Sequence, residues 1–226
     1  MLNKRILLIF TIIVSSTILL TVITASLIEV FSKTEVHASD SVVYSQQEQK
    51  RNFPFPDPSK QDSLSDSVKV ATDGEKVLLR ASVTEGSQIY ECQASASDPN
   101  SFAWKLQAPF ALLRADNGTD VIHSTDPTWL FTKDGSEVKG KVGQYTKPDG
   151  TIVPATATPD ANSLPWLRVD VTEHRGNSGL FSNVDEIQRL YTSGGIAPTA
   201  SCDRTAANDH VIMTVAYSAE YVFWGH

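Results

Sequence analysis

The amino-acid sequence predicts an all-β fold, an antiparallel β-sandwich or barrel-like domain that follows an N-terminal hydrophobic helix and a disordered linker. Three observations lead to this prediction. Apolar and polar residues alternate in several stretches from Val68 onward, which is the period of a strand with one buried face. Turn pairs that contain glycine separate these stretches at short intervals, as in sandwiches and barrels. No stretch of this region has the pattern of a long amphipathic helix.

The clearest strand pattern closes the chain, where seven residues share one face: Val211, Met213, Val215, Tyr217, Ala219, Tyr221 and Phe223. Shorter alternations place Phe102, Trp104 and Leu106 on one face, and Leu167, Val169 and Val171 on another. Residues 184–191 are ambiguous and are interpreted as a strand with a bulge. The turn pairs are Asp73-Gly74, Asn117-Gly118, Asp134-Gly135, Asp149-Gly150 and Gly194-Gly195.

Residues 1–38 are interpreted as an export segment. Lys4 and Arg5 precede the uncharged run 6–28, which is long enough as a helix to cross a hydrocarbon core of about 30 Å. Two alternatives stay open. The segment is either a signal peptide cleaved after Ala38 or a retained single-span anchor, in which case residues 6–28 place the protein in a membrane. In both cases the protein is predicted to be secreted or held at the extracellular face of the membrane.

Residues 39–66 are predicted to be a flexible linker between the export segment and the domain. The range is rich in Ser, Gln, Asp and Pro, and residues 53–58 read Phe-Pro-Phe-Pro-Asp-Pro. Alternating prolines favour extended polyproline II, and this composition buries too little apolar surface to fold alone. Residues 67–226 are then predicted to form the β-rich extracellular domain.

The charge balance argues against nucleic acid as a partner. The chain has 19 Lys and Arg against 26 Asp and Glu, a formal net charge of −7, and no long basic run. Binding to a phosphate backbone needs clustered positive charge. The sequence also contains none of the standard metal-binding, phosphate-loop or dinucleotide-binding patterns, so no metal and no cofactor are predicted.

Two cysteines, Cys92 and Cys202, follow the export segment and are therefore predicted to meet an oxidising compartment. A bridge between them would close a loop of about 110 residues and is the favoured interpretation. A metal pair completed by a histidine, or free buried thiols, are the alternatives.

An ordered series of short motifs gives a family resemblance: Gln88-Ile-Tyr-Glu-Cys92, Phe102-Ala-Trp104, Pro127-Thr-Trp129, Asp134-Gly-Ser136, Lys139-Gly140, Pro165-Trp166-Leu167, Gly179-Leu-Phe-Ser182, Ile187-Gln-Arg189, Gly194-Gly195, Ala197-Pro198, Cys202-Asp203 and Tyr217-Ser-Ala-Glu-Tyr221. Together they resemble the secreted domain of unknown function 3455 (DUF3455) family. The resemblance covers about residues 75–224. It implies an exported domain with a cysteine pair and no established activity.

His123 and Asp126 are the candidate catalytic residues. They lie just before Trp129, so a histidine, a carboxylate and an indole fall within seven residues. His123 could act as a base oriented by Asp126, or it could cap a strand end while Asp126 begins a turn. The candidate ligand-binding residues are His123, Trp129 and Trp224, because exposed indoles stack on sugar rings. Core packing is the default for Trp104 and for Trp166.

Three functions remain open. The leading hypothesis is a non-enzymatic exported domain that binds a cell-wall glycan, a surface polymer or a protein. The first alternative is a secreted hydrolase with a site at His123 and Asp126. The second is a structural or stress-related envelope protein. Whether the chain is an enzyme stays undecided, although the absence of a standard catalytic motif favours a binding role.

Overall fold

The structure, a computed structural model, describes residue 57 and residues 60–176 and 178–226. The predicted N-terminal hydrophobic helix and most of the predicted linker lie outside the described residues. Among the residues that are described, no helix is long and apolar enough to cross a bilayer.

The described residues are mostly strands, with three short 3₁₀ helices and one short α-helix. The strands are β1 (Lys76–Ala94), β2 (Phe102–Ala115), β3 (Asp120–Ser124), β4 (Thr128–Phe131), β5 (Glu137–Val142), β6 (Gln144–Thr146), β7 (Ile152–Pro154), β8 (Thr156–Ala157), β9 (Trp166–Arg175), β10 (Val184–Gly194) and β11 (Ile212–Gly225). The helices are η1 (Gln61–Ser63), η2 (Asp66–Val68), η3 (Leu180–Asn183) and α1 (Arg204–Asn208).

Eight strands close into an antiparallel barrel, which confirms the all-β prediction and decides between sandwich and barrel. Around the ring the order is β1, β2, β3, β4, β5, β9, β10 and β11, and β11 pairs with β1 to close it. The order of the eight strands around the ring is the same as their order along the chain, so the barrel has up-and-down topology. Strand β8 adds to one edge of β9, and β6 and β7 form a separate hairpin.

The local sequence explains the turns and the bends. Gly118 and Gly135 have φ values of 79° and 74° in the tight turns after β2 and β4, a conformation that favours glycine. Residues 184–191 do form a bulged strand, since the register of β10 against β11 shifts near each of its ends. Strand β1 carries a further irregularity between Val83 and Glu85. Such bulges bend long strands around a barrel.

One end of the barrel interior is apolar and closed. The buried side chains there are Leu79, Leu113, Val121, Phe131, Val138, Ile187 and Phe223. Phe181 of η3 covers this end and stacks on Phe223 with ring centroids 4.7 Å apart. The carboxylate of Asp134 accepts hydrogen bonds from Ser136 and from the backbone N–H of Leu180, so it fixes η3 in place.

The segment that precedes β1 packs on the outside of the barrel. Leu64 and Val68 are buried against the outer faces of β10 and β11. Gln188 joins the two layers, because its amide donates to Val68 O at 2.6 Å and accepts from Trp224 Nε1 at 2.8 Å. Residues 60–66, the end of the range predicted to be a linker, therefore belong to the folded domain.

Strands β1 and β2 extend beyond the barrel, and this changes one prediction for the core. Strand β3 pairs with β2 only between Ala111 and Arg114, so the first part of β2 has no β3 neighbour. The face of Trp104 and Leu106 therefore lies outside the main core: Leu106 is 53% exposed and Trp104 is half-buried. The prediction that Trp104 packs in the core was wrong for this reason.

Residues 195–211, named the flap here, lie against this extension. Cys92 and Cys202 form the predicted disulfide, with an S–S distance of 2.07 Å, and this excludes the metal-pair and free-thiol alternatives. Trp104 Nε1 donates to Ala200 O, and the Tyr90 hydroxyl donates to Gly195 O, both at 2.8 Å. The flap is therefore fixed at the end of the barrel opposite to η3.

Candidate functional site

The end of the barrel nearest the flap has a polar interior. Because neighbouring strands are antiparallel, the C-terminal ends of β1, β3, β5 and β10 and the N-terminal ends of β2, β4, β9 and β11 meet there. His123 lies near the end of β3 and Trp129 near the start of β4, and the two residues pair in register. Their rings stack with centroids 4.4 Å apart and planes 3° from parallel. His123 is 3% exposed and Trp129 is 2% exposed.

His123 is a neutral, hydrogen-bonded base at neutral pH. Its Nδ1 lies 2.9 Å from Thr128 O, and because a carbonyl only accepts, Nδ1 carries the proton and Nε2 is left as an acceptor. Burial lowers the pKa of His123 to about 4. The hydrogen bond to Thr128 raises this pKa, whereas the positive charge of Arg189 lowers it.

Arg189 is the buried cation of the barrel. It lies on the same face of β10 as the core residue Ile187, and it pairs in register with Tyr221 of β11. Its side chain donates from Nη2 to Pro165 O at 2.9 Å. Arg189 is 9% exposed, and its Nε–H has no hydrogen-bond partner. No ion pair with Arg189 is formed within the described residues.

Two tyrosines complete this end. The hydroxyl oxygens of Tyr217 and Tyr221 are 3.4 Å apart. The Tyr221 ring lies 5.7 Å from the His123 ring and 6.1 Å from the Trp129 ring, measured between centroids. Burial, followed by the neighbouring Tyr221, raises the pKa of Tyr217 well above its usual range. The hydroxyl of Tyr217 therefore keeps its proton at neutral pH.

Three buried nitrogens, on β1, β4 and β10, have no hydrogen-bond partner: Gln88 Nε2, Trp129 Nε1 and Arg189 Nε. Gln88 is buried on β1, two residues before Tyr90. All three atoms are donors, and buried donors without a partner are rare in folded proteins. We name Gln88, His123, Trp129, Arg189, Tyr217 and Tyr221 the donor cluster.

The structure does not bring His123 and Asp126 together. Asp126 lies in the turn between β3 and β4, where its side chain is 80% exposed and reaches Lys139 Nζ at 3.5 Å. Its φ of 59° is the conformation of a tight turn. His123 instead points into the barrel from β3, so the two residues face different surroundings and form no catalytic pair.

Of the candidate ligand-binding residues, His123 and Trp129 lie together and Trp224 lies apart from them. Trp224 is buried on the outer face of β11 beneath η2, where its Nε1–H is already bonded to Gln188. Trp166 is also on the outside and packs edge-on against Tyr191, with centroids 4.9 Å apart.

Sequence reasoning missed Gln88, Arg189 and the two tyrosines as site residues. A signal was available for Arg189, since period-two alternation places it on the same face of β10 as Ile187. The same pattern placed Tyr217 and Tyr221 on the core face of β11. What alternation does not show is which inward-facing polar atoms lack a partner.

The polar groups of this end are mostly hydrogen-bond donors. It offers several N–H and O–H donors, one positive charge and one neutral imidazole. No Asp or Glu is among the buried residues of the described part of the chain. No group of three or more His, Cys, Asp or Glu side chains suited to a metal ion occurs there either. The interior of an eight-stranded barrel is either filled by side chains or holds one small ligand.

Comparison with known proteins places the chain in a family. The family model described as "Protein of unknown function (DUF3455)" matches residues 72–225, a range that contains the whole barrel ring and the donor cluster. No curated protein and no solved structure matches the chain. The resemblance seen in the short motifs is confirmed: the chain belongs to the DUF3455 family.

Proposed function

We propose that this chain is an exported, non-enzymatic binding protein whose barrel holds a small ligand at the donor cluster. The observation that carries the proposal is the set of three buried donors without partners, on Gln88, Trp129 and Arg189. A buried donor left unsatisfied costs about 1–3 kcal/mol. A ligand whose acceptors bond to these atoms removes this cost, and the free energy recovered favours ligand binding.

The position of the donor cluster supports binding inside the barrel rather than on its surface. The opposite end of the interior is filled by apolar side chains and covered by Phe181. The polar end lies beside the flap, which is attached through the disulfide and through Tyr90. A ligand therefore has a polar approach from one end and an apolar floor at the other.

The tryptophans give little support to stacking of a cell-wall glycan or surface polymer on the outside. Trp129 and Trp224 are buried, Trp166 packs against Tyr191, and Trp104 is bonded to Ala200 O. These side chains do not form an exposed row on one sheet face. The alternative of a secreted hydrolase is weakened too, because it rests on a pairing of His123 with Asp126 that is not formed.

Export is proposed from the charged and then apolar residues 1–38. The disulfide between Cys92 and Cys202 supports this location, since such bonds persist in oxidising compartments. We propose that the protein acts outside the cytoplasm, either released or anchored, and meets its ligand there.

Two buried glutamines offer a matched test of the binding site. Gln88 lies inside the barrel, whereas Gln188 lies under η2 on the outside. The full chain is screened by thermal denaturation against a panel of small molecules, and hits are titrated with Gln88→Met and Gln188→Met. We expect Gln88→Met to weaken binding about tenfold, for one lost hydrogen bond of about 1.4 kcal/mol, and Gln188→Met to lower stability alone. A panel without a hit, or equal effects of the two variants, would contradict the proposal.

A further inference from the structure

We infer that the ligand carries a single carboxylate, which pairs with the guanidinium of Arg189 inside the barrel. This inference rests on the binding function proposed above and names the chemical class of the ligand. It follows from a comparison of Arg189 with the other arginines and from the charges that surround it.

Arg189 differs from every other arginine of the described residues. Four arginines form ion pairs with carboxylates, namely Arg80 with Asp57, Arg114 with Asp120, Arg168 with Asp170 and Glu186, and Arg175 with Glu137 and Glu173. Arg204 is exposed and donates to Asn100 Oδ1 at 2.6 Å. Arg189 is the one buried arginine of this set, and no carboxylate in the described part of the chain forms an ion pair with it. A buried charge is normally paired, so a partner from outside the chain is expected.

The unused donors of Arg189 suit a carboxylate. A guanidinium has five N–H donors in a planar fork, and the structure shows one hydrogen bond, from Nη2 to Pro165 O. The Nε–H is free, and it lies beside Nη2 on the edge that carboxylates bind in a bidentate way. The indole N–H of Trp129 on β4 and the amide nitrogen of Gln88 on β1 are two further buried donors without a partner.

The charge of the cluster sets the charge of the ligand. Arg189 contributes one positive charge, and His123 adds none at neutral pH because its pKa is about 4. Tyr217 keeps its proton and stays a neutral donor, because burial raises its pKa. A monoanion therefore neutralises the site, whereas a dianion such as sulfate leaves a net negative charge buried there. The large side chains already inside the barrel restrict the ligand to a small molecule.

The test compares pairs of probes that differ in charge but hardly in shape. The full chain is titrated with acetate and acetamide, with benzoate and benzamide, and with sulfate. We expect the carboxylates to bind about tenfold or more tighter than the matching amides, which corresponds to one hydrogen-bonded charge pair. The variants are Arg189→Met, Arg189→Lys and, as the matched control, Arg168→Met, whose side chain lies on the outer face and donates to Lys69 O and Gln144 O.

Loss of carboxylate binding in Arg189→Met, partial retention in Arg189→Lys and no change in Arg168→Met would support the inference. Equal binding of amides and carboxylates, with Arg189→Met unchanged, would overturn it and leave the binding function standing. Sulfate bound as tightly as acetate would also overturn it, because the site would then not select a monoanion. If the panel of small molecules used above also gives no ligand, both the binding function and this inference fail.

Discussion

His123 lies flat against Trp129 inside the barrel, with ring centroids 4.4 Å apart and planes 3° from parallel. The stack removes the imidazole from water, and its Nδ1–H is used by Thr128 O. His123, which the sequence suggested as a catalytic base, is therefore a neutral, buried side chain that lines the barrel interior. Its chemical contribution is the shape of the site and one acceptor nitrogen.

The buried histidine predicts a loss of stability in acid. Its pKa is about 4 in the folded chain against 6.5 in the unfolded chain, so the unfolded chain binds more protons between these values. The contribution of His123 is complete above pH 6.5 and is lost as the pH falls towards 4, by about 3 kcal/mol in total. Urea unfolding from pH 4.5 to 7.5 measures this slope, and His123→Gln should remove it. An unchanged slope in His123→Gln would contradict the assignment.

Glu186 predicts the opposite dependence over nearly the same range. Burial raises its pKa to about 7, with Glu75 and Asp170 adding repulsion and Arg168 opposing them. The folded chain therefore holds a proton that the unfolded chain has released above pH 4.5, and stability from this group is lost as the pH rises through 7.

Glu186→Gln should therefore make the free energy of unfolding fall more steeply as the pH decreases. In the unmodified chain, the stability gained from Glu186 partly compensates for the stability lost at His123. The measurement is again the free energy of unfolding by urea from pH 4.5 to 7.5. Glu173→Gln, at an exposed position on β9, is the control and should leave the curve near that of the unmodified chain. A curve of Glu186→Gln that matches the unmodified chain would show that Glu186 does not titrate in this range.

Arg189→Met should stabilise the ligand-free protein or leave its stability unchanged. Replacing a buried charged group by an apolar side chain of similar length removes a desolvation cost, and such changes are often neutral or stabilising by about 1–4 kcal/mol. Chemical denaturation without ligand measures the effect. Gln188→Met, which leaves Trp224 Nε1 and Val68 O without their partner, should instead destabilise by about 1–3 kcal/mol. A strong loss of stability in Arg189→Met would show that Arg189 has a structural role.

Removal of the disulfide should destabilise the domain and loosen the flap. Cys92 and Cys202 are 110 residues apart, and closing a loop of this size stabilises the fold by about 5 kcal/mol by chain entropy. The double variant Cys92→Ala, Cys202→Ala is compared with the unmodified chain by guanidinium unfolding and by limited proteolysis. New cleavage within residues 195–211 is expected before cleavage of the barrel strands. Unchanged stability and an uncut flap would contradict the role given to the bond.

Alternation predicted the strands well where one face meets the barrel interior. Tyr217, Ala219, Tyr221 and Phe223 are all buried, as their spacing indicated. The same rule failed for Leu106 because the part of β2 before Ala111 does not pair with β3. Alternation shows that a strand has two faces, but the length of the neighbouring strand decides whether a face is covered.

Other features depend on contacts between distant parts of the chain. Closure of the ring joins β1 to β11, near opposite ends of the domain, and no local pattern distinguishes this from a sandwich. The burial of Trp224 depends on the segment before β1, of which only the part up to residue 66 was predicted to be linker. Arg189 could be placed inside by its spacing from Ile187, but its lack of a carboxylate partner depends on the whole set of inward-facing residues.

The indole N–H signals of the four tryptophans offer the most direct test of ligand binding at the donor cluster. Trp129 Nε1–H has no partner, whereas the same group of Trp224 is bonded to Gln188 and that of Trp104 to Ala200. Two-dimensional ¹H–¹⁵N spectra of the full chain are recorded during titration with acetate or benzoate, and Trp129→Phe assigns the signal. We expect a saturable shift of the Trp129 signal while the Trp224 and Trp104 signals stay in place. A Trp129 signal that does not move, or equal movement of all the indole signals, would contradict it.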